Sequence, residues 1–319
     1  MGHGIQEKDT MFSVKEKPWH GLGKVVEEAP SVKEAIQLAG LDWTVRLAPI
    51  CSLENNPQFI DTHQAVMRND DNSVLGVVGN SYTPLQNIDA FDWFEPFVES
   101  GLVKLETAGS LFNGKKVFIL ANTNMDNDVV ADDTVQSYIL LSNSHDGSSA
   151  VRVGFTPIRV VCNNTLTAAH NSDLSKLIRV RHSSSVKENL QLVRDVMDTV
   201  NGQFLATIEQ YQELAKRDIV QSDLERYVKQ VFSVKKLEDV IKDYEEREQA
   251  ESVSKQRLER IQYYFDLEKD HKVWNMYNAV NSYLNHDRGR TLETRYNSTW
   301  FGENKLTDKR ALELAIKAY

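Results

Sequence analysis

Val103-Lys104-Leu105-Glu106-Thr107-Ala108-Gly109-Ser110-Leu111-Phe112-Asn113-Gly114-Lys115-Lys116-Val117-Phe118-Ile119-Leu120-Ala121 decides the fold class of this chain. Two strand-like runs flank Asn113-Gly114, and an Asn-Gly pair supplies the positive backbone torsions of a two-residue hairpin. Upstream, His63–Arg68 runs through the polar stretch Asn69–Ser73 into Val74–Gly79, a second hairpin with a longer turn. Thr44–Ile50 alternates and is expected to end at Pro49, because proline removes a ladder donor. Downstream, Val135–Leu141 and Val151–Phe155 form a further strand pair around His145-Asp146-Gly147-Ser148. Between the hairpins, Asn87 to Val98 opens on a cap-type residue and repeats apolar groups at three and four, which predicts one amphipathic helix. Arg159–Cys162 leads through Asn163-Asn164-Thr165 into a short helix at Leu166–His170.

The character changes near Ser183-Ser184-Ser185. Leu190, Val193, Val196, Met197 and Val200 stand at helical spacing, and no proline follows Pro157, which suits a run of helices. Residues 235–270 alternate charges of both signs and read as a solvated helix face or linker. Trp274, Tyr277, Ala279, Val280, Tyr283 and Leu284 then share one helical stripe, and a last helix runs from Thr307 to Tyr319. The expected fold is α+β: an antiparallel, hairpin-rich sheet domain with helices over 1–183, then a mainly helical region over 184–319.

Composition bounds the function. The chain has 319 residues, 41% apolar and 26% charged, with a formal net charge of -9. That content excludes wholesale disorder, and the charge excludes a surface built throughout for DNA or anionic membrane. The polar start carries no leader pattern, no window is apolar enough to span a bilayer, and the expected setting is the cytoplasm. Cys51 and Cys162 are expected to be reduced and buried.

Several strings, in order, resemble the DUF932 phage/plasmid-like family. They are Pro18-Trp19-His20-Gly21-Leu22-Gly23, Ala39-Gly40-Leu41-Asp42-Trp43, Val74–Gly79 with Tyr82, and Glu106–Leu111 with Gly114. They continue with Ser144–Ser148, Ile158–Leu166, Arg181-His182, Asn278-Ala279-Val280 with Tyr283 and His286, and Trp300-Phe301-Gly302. The resemblance implies a gene carried by mobile elements in a bacterial host. It carries no catalytic residues.

Two patterns bear on chemistry. His145, Asp146, Cys162 and Asn163 form a polar constellation that a Cys-His nucleophilic site could use. A buried thiol beside a structural turn is the competing reading. Metal-ligand spacings such as CxxC or HExxH are absent, and Gly21-Leu22-Gly23 lacks the elements of a phosphate loop, so no metal and no cofactor is expected. The second pattern is electrostatic. Residues 152–187 hold Arg152, Arg159, Lys176, Arg179, Arg181 and Lys187 against the single acid Asp173, whereas residues 61–133 hold twelve acids against four bases. Arginine forks fit phosphate, and Phe155 between Arg152 and Arg159 is the candidate stacking ring. Pairing of these bases with the acidic first half is the alternative. Phe91, Trp93, Phe94 and Phe97 read as core.

The favoured function is a mobile-element protein binding nucleic acid, single strands first, in a recombination or annealing-like role. Architecture alone resembles phage single-strand annealing proteins. The alternative is a protein-binding module that counters a host defence system, without nucleic acid or catalysis. In either case the C-terminal helices would engage a partner or a second copy.

Overall fold

The computed structural model describes residues 10–14, 24–53, 56–148, 152–159, 164–165, 186–232, 244–268, 270–290, 294–295, 298–299 and 302–318, without the side chains of 159, 164–165, 186–193, 221 and 244–250. The fold class is α+β, with strands and short helices first and long helices after. The chain packs as two compact units of interleaved segments: Met1–Met125, Ser137–Phe155 and Asn171–Gly202 in one, Asp126–Gln136, Thr156–His170 and Gln203–Tyr319 in the other. The expected boundary at 183/184 lies outside the described residues. Interleaving has a physical cause in a long hairpin whose end is claimed by helices of the second unit: Trp274 Nε1 donates to Asp133 at 2.7 Å and Gln212 Nε2 to the Asp128 carbonyl at 2.9 Å.

The larger sheet contains β1 (Met11–Val14), β2 (Lys24–Val26), β6 (Lys104–Leu111), β7 (Lys116–Val130), β8 (Asp133–Ser144), β9 (Arg152–Arg159) and β10 (Asn164–Thr165), in the order β10-β9-β8-β7-β6-β1-β2. The smaller sheet is β3 (Val45–Ser52), β4 (Gln58–Arg68) and β5 (Val74–Gly79), all antiparallel. At the β6–β7 turn Asn113 and Gly114 have φ of 57° and 84°, and Lys115 donates back to the Phe112 carbonyl. Positive φ at both central residues matches the right-handed strand twist. Phe112 joins them at 60°, so the left-handed stretch is one residue longer than the two-residue turn requires.

Two boundaries differ from expectation. β3 does not end at Pro49 but runs on to Ser52. It is an edge strand with a register irregularity between Pro49 and Ile50, and edges and bulges are where a missing donor is tolerated. The helix expected over 87–98 is two, α2 (Asn87–Asp92) and α3 (Glu95–Glu99). Pro96 sits in the first turn of α3, where it starts a helix but disfavours a continuous one through the preceding residue. Phe91, Trp93, Phe94 and Phe97 are all buried, as core residues should be. Between β2 and β3 in the chain, α1 (Val32–Leu38) opens on a capping box in which Ser31 and Glu34 satisfy each other's backbone N–H groups.

Cys51 is exposed, not buried. It lies where β3 pairs with the part of β4 whose residues Gln58–His63 are all exposed, so no core is there to receive the thiol. Cys162 and the helix expected at 166–170 lie outside the described residues.

The helices are α4 (Val186–Lys216), α5 (Gln221–Phe232), α6 (Tyr244–Asp266), α7 (Val273–Ser282) followed by a π-helical turn (Tyr283–Asp287), and α8 (Glu303–Ala318), which starts one turn before the expected Thr307. In the second unit the core is aromatic: the Tyr211 and Trp274 rings pack tilted with centroids 4.6 Å apart, and Tyr227, Tyr277 and Phe265 are fully buried. α7 is buried on every side. The charged α6 buries Ile261 and Phe265 among its described residues and exposes most others, which is the solvated helix face expected there. No described helix is long and apolar enough to cross a membrane.

Candidate functional site

Ser144 ends β8, and the chain then turns through His145, Asp146, Gly147 and Ser148. Two glycines clamp this loop onto β5. A Cβ on Gly76 would stand 2.6 Å from the Asp146 Cα, and one on Gly147, whose φ is +75°, would stand 2.8 Å from a Val78 methyl. Only a bare backbone permits that approach.

His145 points inward and is fully buried. Its backbone N–H donates to the Lys115 carbonyl at 2.7 Å. Asn87 gives its amide N–H groups to the carbonyls of Leu41 and Trp43, leaving Oδ1 to accept from His145 Nε2–H at 2.9 Å. That assigns the proton to Nε2 and leaves Nδ1 a bare lone pair, which has no hydrogen-bond partner. The ring lies 5.3 Å from Trp43, over which Arg68 stacks at 4.3 Å while forking onto Asp70. Burial, with the Arg68 charge adding, pushes His145 down to about 4 against the pull of Asp146. The imidazole is neutral and out of reach of solvent.

Asp146 faces the other way and is half-buried. Its Oδ1 accepts from Ser144 Oγ at 2.6 Å and from the Ser148 N–H at 2.9 Å. Burial works to raise its pKa, but these bonds and the Lys116 charge outweigh it and hold the carboxyl below its usual range. Tyr82 donates to the Ser144 carbonyl at 2.9 Å. The two halves of this motif therefore do different things: His145 locks the fold from inside, and Asp146 is a fixed surface acceptor. The described arrangement gives His145 no nucleophile to activate. Cys162 and Asn163 lie outside the described residues. Among the described residues no group of three or more His, Cys, Asp or Glu could hold a metal ion.

Of the basic segment, Arg152 opens β9 and is exposed, and the Arg159 backbone pairs with Asn164. Lys176, Arg179 and Arg181 lie outside the described residues. Phe155 corrects an expectation. Its ring is buried on the packed side of β9 together with Val153, so it cannot stack on a base while the sheet is intact.

Sequence reading missed Asn87, Trp43 and Arg68 as partners of the His145 motif. Asn87 had the signal of a helix cap, yet Gln86 holds the N-cap position of α2 and the Asn87 amide is used by buried partners instead.

A family model described as "Domain of unknown function (DUF932)" matches residues 74–308. Neither a curated protein nor a solved structure matches the chain.

Proposed function

This chain belongs to the DUF932 family, whose description assigns no chemistry, and we propose from charge and exposure that it binds nucleic-acid backbone, single strands first, through residues 152–187. The observation that carries this reading is Arg152. It is exposed, and among the described residues no carboxylate holds it in an ion pair. Arg152 heads a stretch with six bases and one acid in a chain of net charge -9, a segregation that concentrates phosphate affinity in one place. We infer a mobile-element setting in a bacterial cytoplasm, with a recombination or annealing-like role.

The test is binding of a labelled single-stranded oligonucleotide across salt. Four arginine-phosphate contacts give a slope of log affinity against log salt near about -3. Arg152→Ala should make the slope shallower by somewhat under one unit and weaken all sequences alike, because phosphate contacts carry no base information. No binding at about 50 mM salt, or an unchanged slope in the variant, sinks the reading. The second reading, a protein-binding module acting on a host defence system, would then stand. It is favoured by Leu53 and Phe59, which are 83% and 78% exposed at the end of the β3–β4 hairpin.

A further inference from the structure

In the second unit two arginines converge on one ring. Arg257 of α6 lies 4.5 Å from the centre of Phe232, at the end of α5, and Arg288, just past the π-helical turn, lies 5.7 Å from the same centre. All three side chains are partly exposed. Arg288 spends one N–H on Thr307 Oγ1 at 2.8 Å, which orients its fork. Among the described residues Arg257 makes no hydrogen bond or ion pair, and its Nε is buried without a partner there. Neither guanidinium has a carboxylate within ion-pair distance among the described residues; Glu303 attracts Arg288 from further off. One turn along α6, Arg260 forks onto Asp287 at 2.5 and 3.4 Å, which is how an arginine in this unit looks when its counter-ion is supplied.

Two like charges drawn partly out of water, each with donors unspent, repel one another and lose hydration. The Arg288 pKa is held down, by burial first and then by the Arg257 charge, against Tyr283 and Glu303. The chain has 46 acidic residues to 37 basic ones, yet among the described residues this pair is unmatched. An anion that meets both forks removes the repulsion. A carboxylate has two oxygens and satisfies one fork, whereas a phosphate group offers enough oxygens for two.

We propose that Arg257 and Arg288, set around Phe232 and oriented through Thr307, form a binding site for a phosphate group. None of these residues belongs to the segment 152–187. The site's phosphate comes either from a terminal phosphate, as on a mononucleotide, or from the phosphodiester of a strand.

Titrating inorganic phosphate into the full chain by calorimetry, at constant ionic strength set with chloride, tests the site. Saturable binding is expected in the parent, at least tenfold weaker binding in Arg257→Gln, and parental affinity in Arg152→Gln. No saturable heat in the parent, or parental affinity in Arg257→Gln, overturns the proposal. So does loss of binding in Arg152→Gln alone, which would assign the phosphate to the other segment. If Arg257→Gln does not fold, Arg257→Lys keeps the charge and the stem while removing the fork. A severalfold loss is then expected, and unchanged affinity overturns the site. Competition by a short oligonucleotide lacking terminal phosphates marks the backbone as the source; competition by a mononucleotide alone marks the terminal group.

Discussion

His145 Nε2 and Asn87 Oδ1 meet at 2.9 Å across 58 residues of sequence. Through this one bond the end of β8 is tied to α2, and through the other two bonds of Asn87 to the carbonyls of Leu41 and Trp43 just ahead of β3. Removing the amide strands one buried donor and two carbonyls together. Asn87→Ala should therefore destabilise the first unit by about 2–3 kcal/mol, more than an exposed cap would cost. Urea denaturation compared with the parent measures it, and a loss under about 0.5 kcal/mol would show that Asn87 acts only as a helix-start residue.

The same site makes stability depend on pH. His145 titrates near 4 in the folded chain against an ordinary 6.5. Between those values the unfolded chain binds a proton that the folded chain refuses, so stability is full above pH 6.5 and falls as pH drops toward 4. The whole loss from this group is about 3 kcal/mol. Asp70 and Asp146, held below their ordinary 3.8, add their own loss only further down. Denaturation at pH 7 and at pH 4.5 should show most of the His145 loss, and His145→Gln should flatten that interval. An equally steep decline in the variant would place the titrating group elsewhere.

The hairpins were legible where local chemistry specifies them. Asn113-Gly114 marks its turn by torsion alone, and Val196, Met197 and Val200 face inward because period 3.6 gave them one side of a helix. The far half of β7 was not legible, since the strand-like run stops at Ala121 and Asn122-Thr123-Asn124-Met125-Asp126-Asn127-Asp128 is almost wholly polar. Two of those polar side chains find partners across the sheet, Asn122 donating to Glu106 and Thr123 to the Ser137 carbonyl. The candidate site was half legible for the same reason. Ser144–Ser148 stands out by its residue types, but the amide that holds His145 lies far away in sequence and no periodicity points to it.

Gly114 offers a local test of the decisive hairpin. Its φ of +84° lies in the left-handed region, and an added Cβ would come 3.2 Å from the Trp43 ring. Gly114→Val forces a β-branched residue into that torsion and should lower stability by about 1 kcal/mol or more. The melting temperature reads it directly. An unchanged value would mean the backbone reaches the turn without positive φ at this position.

Asn278 tests whether polar burial in α7 is structural ballast or a working contact. It is fully buried, and among the described residues neither its amide nitrogen nor its oxygen has a hydrogen-bond partner. Its helix neighbours Tyr277, Ala279 and Val280 are buried too. An unpaired buried amide costs about 1–3 kcal/mol. Leucine has the same heavy-atom count and branching, stronger helix propensity and no polar atoms to desolvate. Asn278→Leu should therefore raise stability by about 1 kcal/mol, read as a higher urea midpoint with the same slope. A loss of similar size would mean that the amide is held by a partner other than the described residues, among which none is there to be lost.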